Sequence, residues 1–167
     1  MKSLQEIDAL LDTLTDPEIP VLTLRDLGII RDVRINAPGE VEVLITPTYS
    51  GCPAMDAIAL DIRLTLQAAG IPRVTVTHVL QPAWTTDWMS DSGKEKLRAY
   101  GIAPPVHLTS ETHKRMDRLL FAAGPSVPCP RCGSTDTECV STFGSTACKS
   151  QYRCLSCREP FDYFKCH

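Results

Sequence analysis

The stretch from Cys129-Pro130-Arg131-Cys132 to Cys154-Leu155-Ser156-Cys157 carries two C-x-x-C pairs separated by a strand-like segment. Thiolates three positions apart on one tight turn can bind a metal ion, and a second pair on a facing turn completes a tetrahedral shell of four sulfurs. The spacing predicts a zinc ribbon whose ligands are Cys129, Cys132, Cys154 and Cys157. Zinc is expected because closed four-thiolate sites favour it, and iron in the same geometry is the alternative.

Two disulfides are the other use that these cysteines could have, and they require an oxidising compartment. No apolar run of signal-peptide type follows Met1, and no stretch of the sequence approaches the length of a membrane span. We therefore expect a cytoplasmic protein with reduced cysteines and no membrane partner.

The charge balance bears on nucleic-acid binding. The chain has 17 Lys and Arg against 20 Asp and Glu, a net charge of -3. Residues 126–167 hold 5 basic and 4 acidic side chains. A ribbon that binds nucleic acid usually has a basic face, because phosphate neutralisation supplies most of the affinity. The sequence therefore favours a function without nucleic acid over a nucleic-acid-binding regulator.

Residues 1–105 predict a compact α+β domain with the order helix, strand, strand, helix, strand, helix. A capping box, Ser3-Leu4-Gln5-Glu6, begins the first helix, and the prolines of Asp16-Pro17-Glu18-Ile19-Pro20 follow its end. The predicted helices are residues 4–15, 53–69 and 91–100, and the predicted strands are residues 29–35, 41–45 and 74–78. Residues 106–128 are predicted to be a connector with a short helix at 111–121, and residues 129–167 form the ribbon.

Cys52 lies where a strand ends and a helix begins, in a segment that ends in Ser50-Gly51-Cys52-Pro53. We place it at the helix N-cap, where unpaired backbone N–H groups and the helix dipole favour negative charge. This position predicts a stabilised thiolate, the form that binds metal or attacks an electrophile. The alternative is that Cys52 is a small apolar residue that fills space.

Four other residues are candidates for supporting Cys52. Thr46 and Thr48 offer hydroxyl donors close to it in the sequence, and Asp16 and Glu18 would add carboxylates to the same pocket. The simpler interpretation of the two acidic residues is that they form a turn.

Three cysteines and two tryptophans remain. A strand position predicts that Cys139 is packed, and a hairpin tip predicts that Cys148 is exposed. Cys166 at the terminus is either a ligand of a second metal or part of a frayed end. Trp84 and Trp88 pack in the core or form a partner-binding patch.

Several segments resemble known families. Residues 16–20, 26–29 and 46–53 resemble, in the same order, the signature of the iron–sulfur cluster assembly domain (MIP/SufT-like). Residues 82–90, residues 100–105 and the ribbon that ends in Phe164-Lys165-Cys166-His167 resemble the PaaD family of phenylacetate degradation, also called the PaaJ subunit of phenylacetyl-CoA oxygenase. By position, Cys52 matches the reactive cysteine of the assembly domain, and the four ribbon cysteines match the zinc ligands.

The resemblance implies an accessory or maturation factor for a multicomponent oxygenase, the ring 1,2-epoxidase, which has a di-iron subunit and a [2Fe–2S] reductase. Those oxygenase and reductase subunits would be its partners, and a transient iron ion or iron–sulfur cluster would be a second cofactor. The alternative is a structural or regulatory subunit that stays bound to the oxygenase.

The residues themselves also argue against an oxygenase subunit. A di-iron site needs Glu and Glu-x-x-His ligands on a long helical bundle, whereas in Ser110-Glu111-Thr112-His113 the Glu and His are two apart. We therefore expect no catalytic residues for ring oxidation. An enzyme with Cys52 as nucleophile is the remaining enzymatic alternative, although no histidine is near it in the sequence to serve as base.

Overall fold

A computed structural model describes residues 2–106 and 126–165 of the 167-residue chain. Its contacts divide these residues into two compact units, and the division falls between Gly93 and Lys94. The predicted α+β class is confirmed, and the domain limits predicted at residues 105 and 129 stay a prediction. The predicted helix at 111–121, Cys166 and His167 lie outside the described residues.

The first unit combines two helices with a three-stranded sheet. The helices are α1 (Leu4–Leu11) and α2 (Ala54–Ala68), and the strands are β1 (Ile30–Ala37), β2 (Glu40–Ile45) and β3 (Arg73–His78). The strand order in the sheet is β1-β2-β3. Strand β1 is antiparallel to β2, and β3 is parallel to β2. Parallel neighbours need a crossover connection, and α2 provides it. The predicted order of these five elements is confirmed.

The ends of α1 follow from local hydrogen bonds. The Ser3 backbone N–H donates to the Glu6 carboxylate at 2.7 Å, and the Glu6 N–H donates to the Ser3 hydroxyl at 3.3 Å, which completes the predicted capping box. The helix ends at Leu11 rather than at residue 15, because the N–H groups of Thr13 and Leu14 bond three residues back, to Leu10 and Leu11. This tighter turn is a frequent way to close an α-helix.

The second unit contains a four-stranded sheet. Helix α3 (Asp91–Tyr100) crosses the division and leads into β4 (Ile102–Ala103), and the ribbon strands are β5 (Thr137–Ser141), β6 (Lys149–Cys154) and β7 (Pro160–Phe164). Strands β5, β6 and β7 are antiparallel, and β4 pairs in parallel with β7. The buried cluster of this unit includes two ribbon cysteines; its members are Ala103, Val127, Cys129, Tyr152, Cys154, Phe161 and Tyr163.

The two tryptophans have different environments in the first unit. Trp84 is buried, and its indole N–H donates to the Leu27 carbonyl at 2.7 Å. Trp88 is half-buried, and the Arg31 guanidinium lies 3.5 Å from the centre of its ring. Of the two interpretations made from the sequence, buried packing describes Trp84. Within the described ranges, no helix is long and apolar enough to cross a membrane.

Candidate metal centre and thiol site

Two turns of the ribbon bring four cysteines together. The first turn is closed by the Gly133 N–H, which donates to the Cys129 carbonyl at 2.9 Å. In the second turn, the Cys157 N–H points at the Cys154 sulfur at 3.5 Å. The sulfurs of Cys129, Cys132, Cys154 and Cys157 all lie within 4.8 Å of one another. The predicted convergence of these four side chains is therefore present in the fold.

The sulfur separations fit a single tetrahedral cation. Zinc–sulfur bonds of about 2.3 Å place the corners of a tetrahedron about 3.8 Å apart. The Cys129–Cys157 sulfurs are 3.8 Å apart and the Cys132–Cys154 sulfurs are 3.6 Å apart, so each close pair joins the two turns. A disulfide would need about 2.0 Å, and these cysteines are free thiols. The donor set suits zinc.

The pKa values of these thiols depend on backbone N–H groups, on burial and on the neighbouring sulfurs. The Cys157 backbone N–H, together with the sulfurs of Cys132 and Cys157 and the Ser156 N–H, lowers the pKa of Cys154 to about 7 against the effect of burial. For Cys157, the Glu159 backbone N–H lowers the pKa, but burial and the three neighbouring sulfurs outweigh it and raise the pKa to about 12. Four adjacent thiolates repel one another strongly unless a cation is among them. Metal binding at this centre is therefore coupled to the release of protons.

Cys52 lies in the first unit, between β2 and α2. Helix α2 begins at Ala54 with Pro53 as its N-cap, so Cys52 precedes the cap instead of forming it. The Cys52 N–H donates to the Tyr49 carbonyl at 3.3 Å, and the Met55 N–H donates to the Cys52 carbonyl at 3.4 Å. These bonds hold the Cys52 backbone in a tight turn, and its thiol is half-buried.

Burial raises the pKa of the Cys52 thiol above its ordinary value. Hydrogen bonds from the Ala54 N–H and the Tyr49 hydroxyl oppose this effect, and the carboxylates of Glu18 and Asp16 add to it. The sequence-based prediction of a stabilised thiolate is therefore wrong. The helix N-terminus does favour negative charge, but loss of hydration and two nearby anions outweigh it.

The four candidate supporting residues of Cys52 are the acidic Asp16 and Glu18 and the hydroxyl-bearing Thr46 and Thr48. The Asp16 carboxylate is buried and accepts the N–H groups of Glu18 and Ile19, both at 2.8 Å, so it forms the turn that the alternative interpretation describes. Asp16 and Glu18 are also close enough to Cys52 to act on its charge. Thr46 is buried at the end of β2, and Thr48 is half-buried in the following loop.

Tyr49 contacts the thiol but was not among the residues predicted from the sequence. Its hydroxyl and its carbonyl both bond Cys52. The sequence could have predicted this contact, because a residue three positions before the cysteine in a Gly-containing loop closes a turn onto it.

Cys139 and Cys148 have exposures opposite to those predicted. Cys139 is exposed on β5, next to Tyr152, whose pKa is raised to about 12 by burial and by this cysteine. Cys148 is buried, with its sulfur 3.0 Å from the Thr146 hydroxyl and its carbonyl accepting the Lys165 N–H at 2.9 Å. The hairpin tip therefore folds back over the Cys148 thiol.

Two family models match the two parts of this chain, an iron–sulfur cluster assembly domain and a zinc ribbon. The family described as "Iron-sulfur cluster assembly protein" matches residues 4–80, and the "PaaD zinc beta ribbon domain" matches residues 114–165. Over 161 residues the chain is 51% identical to a protein of Escherichia coli (strain K12) that is named as a subunit of a "Putative 1,2-phenylacetyl-CoA epoxidase", covering 96% of this chain and 92% of that protein. The chain belongs to the PaaD family.

Other relatives match the assembly domain alone. A "Fe-S protein maturation auxiliary factor" of Porphyromonas gingivalis is 37% identical over 94 residues, which cover 56% of this chain and 89% of that protein. The crystal structure of a DUF59 domain from Bacillus anthracis superposes with a TM-score of 0.52 at 26% identity, covering 56% of this chain and 89% of that one. These similarities support the α+β fold of the first unit.

Proposed function

We propose that this protein is an accessory factor that assists insertion of iron or an iron–sulfur cluster into the multicomponent phenylacetyl-CoA oxygenase, and that it is not the catalytic subunit. The observation that carries the proposal is the separation of two sulfur sites, a four-cysteine centre in the ribbon and a single half-buried thiol in the assembly domain. The names of the relatives support it, since they describe an epoxidase subunit and an Fe–S maturation factor. Oxygenase and reductase subunits are the proposed partners, in the cytoplasm.

The ribbon has a structural role in this proposal. Cys129, Cys132, Cys154 and Cys157 would hold zinc, which supplies a closed centre that organises the two turns. Cys129 and Cys154 are buried and Cys132 is exposed, so the centre is anchored in the core of its unit and reaches the surface at one corner.

Cys52 is proposed to be a transient ligand for the iron or cluster that is delivered. With its raised pKa the thiol stays protonated at neutral pH and is a weak nucleophile. An arriving cation would be attracted by Asp16 and Glu18 and would displace the thiol proton. When the cargo leaves, the thiol regains its proton, which favours release over retention. The same protonation argues against an enzyme that uses Cys52 as nucleophile.

Co-expression with the oxygenase tests the role of Cys52. We expect Cys52→Ser to fold normally but to yield oxygenase that is deficient in iron and in activity. Cys139→Ser is the matched control, because it removes an exposed thiol outside both sites. The measurements are the iron content and the specific activity of the purified oxygenase. Full iron content with Cys52→Ser would show that this residue has no part in delivery.

The second candidate is a structural or regulatory subunit that stays bound to the oxygenase, and the word "subunit" in the name of the Escherichia coli relative favours it. Stable co-purification at fixed stoichiometry through gel filtration would support this candidate. A complex that dissociates on dilution would support delivery instead.

A further inference from the structure

A groove of about 690 Å³ lies in the second unit, between the last turn of α3 and the first cysteine turn of the ribbon. Its lining includes Glu95, Arg98, Tyr100 and Gly101 on one side and Pro130 and Arg131 on the other. Pro130 and Arg131 are the two residues between Cys129 and Cys132. One wall of the groove is therefore part of the candidate metal centre.

Both walls are attached to the same buried cluster. Helix α3 is closed by the Gly101 N–H, which donates to the Arg98 carbonyl at 3.1 Å, and the chain continues directly into β4. Ala103 of β4 belongs to the cluster that also contains Cys129. The separation of Arg98 and Arg131 is thus set by the packed ribbon core, which makes the groove a preformed surface.

The two arginines of the groove differ from four other arginines of this protein, which are neutralised by carboxylates. Arg25, Arg34, Arg73 and Arg153 each form an ion pair with a carboxylate. Within the part of the chain that the structure describes, Arg98 and Arg131 have no such partner. Two unpaired guanidinium groups on one groove of a chain with net charge -3 mark a local positive site. Guanidinium binds planar carboxylates through paired hydrogen bonds.

The walls of the groove suit a protein partner better than a small molecule. Glu95, Arg98, Tyr100 and Arg131 are all exposed, and Tyr100 keeps 56% of its surface accessible. A ligand pocket usually encloses most of its ligand, which these open walls do not. Arginine and tyrosine are among the residues enriched in the energetic centres of protein interfaces.

We propose that this groove docks an acidic segment of the protein that receives the iron or cluster, and that Arg98 and Arg131 bind its Asp or Glu side chains. The inference rests on the proposed function, which supplies the identity of the client. Glu95 in the lining repels surplus negative charge and so favours a segment with a basic residue beside its carboxylates. Nucleic acid is disfavoured, since two cations neutralise about two phosphates and give weak binding.

Binding of the zinc-loaded full-length protein to separately purified di-iron oxygenase and reductase subunits tests the proposal. The variant Arg98→Glu with Arg131→Glu reverses both charges, and we expect it to weaken binding about 100-fold or more, because like charges in an interface are strongly repulsive. Arg63→Glu is the control, since it reverses an exposed charge on α2 and should change the affinity by less than about threefold. The zinc content of each variant reports whether the ribbon is intact. If charge reversal reduces the zinc content, Arg98→Ala with Arg131→Ala provides the same comparison.

The possible results distinguish failure of the docking groove from failure of the proposed function. Binding by the wild type that both double variants retain would overturn the docking groove and leave the proposed function intact. No binding of the wild type to any oxygenase component would overturn both. A wild type that binds a DNA duplex but no oxygenase subunit, and loses the duplex in the double variants, would reassign the groove to nucleic acid.

Discussion

At Cys52, a helix start and burial act on the pKa of one thiol in opposite directions. The helix start is a local feature, so the sequence around residues 50–54 predicts it. The opposing carboxylates come from residues 16 and 18, and only the fold brings them near the sulfur. Local sequence could therefore identify this cysteine as a candidate, but it could not predict the sign of its pKa shift.

The raised pKa of Cys52 predicts slow alkylation at neutral pH. Thiolate is the reacting form, so the rate should rise with pH and still be rising above the ordinary thiol pKa of about 8.5. Replacing the anion in Glu18→Gln should lower the pKa of Cys52 and speed its alkylation near pH 8, because one repulsive charge is removed. Site-resolved mass spectrometry of iodoacetamide adducts measures the rates. Asp61→Asn, exposed on α2, is the control, and equal rates in Glu18→Gln and wild type would contradict the electrostatic account.

Gly28 predicts a measurable steric cost in the first unit. Its φ is +68°, and a Cβ there would lie 2.8 Å from the Trp88 carbonyl oxygen and 2.9 Å from the Trp88 Cβ. Gly28→Ala should destabilise the protein by about 2–4 kcal/mol, from the left-handed backbone and the clash together. Gly70→Ala separates the two causes, since φ is +90° with nothing within 4 Å, and should cost about 1–2 kcal/mol. Urea unfolding followed by tryptophan fluorescence gives both values, and equal losses would mean that Trp88 moves away at no cost.

Among the elements, agreement with the sequence is best where burial is periodic. Strand β2 alternates between buried and half-buried positions, and its predicted limits differ from the observed ones by one residue. Strand β5 lies at the edge of its sheet, has no such alternation, and contains a register shift between Cys139 and Ser141. An edge strand with a bulge does not alternate predictably between core and solvent. This is why the exposure predicted for Cys139 failed.

Strands β5, β6 and β7 should lose their order when the metal is removed. Their cluster is small and includes the buried Cys129 and Cys154, and domains of about 40 residues usually need a metal or disulfide. Chelation, or Cys154→Ser, is expected to abolish amide hydrogen-exchange protection in these strands, whereas β1, β2 and β3 keep theirs. Cys139→Ser should retain protection in all six strands. Full protection of β5–β7 in zinc-free protein would show that the apolar cluster holds these strands without metal.

At the scale of the whole chain, the sequence predicts two sulfur sites, because four cysteines form two C-x-x-C pairs whereas Cys52 stands alone. The C-x-x-C pairs identify their own partners, and the structure brings all four sulfurs together. Cys52 has no such partner in the sequence, and its proposed role as a transient ligand rests on the family resemblance and on the two nearby carboxylates. The proposed docking groove could not be predicted, because Arg98 and Arg131 are 33 positions apart and line one groove only in the folded unit.

Because Cys52 and the ribbon cysteines belong to different units, zinc in the ribbon and any iron at Cys52 should be removable one at a time. Protein purified without oxygen should contain about one zinc per chain, since four thiolates complete the coordination of one ion. Cys52→Ser should keep this zinc and lose any iron absorption in the visible spectrum, because Cys52 belongs to the other unit and contributes nothing to the ribbon centre. Cys154→Ser should lose the zinc and leave the alkylation rate of Cys52 unchanged. Elemental analysis and visible spectra of the wild type, Cys52→Ser and Cys154→Ser measure the zinc and iron of each protein. Iron absorption that persists in Cys52→Ser and disappears in Cys154→Ser would place the iron in the ribbon and remove the reason for assigning delivery to Cys52.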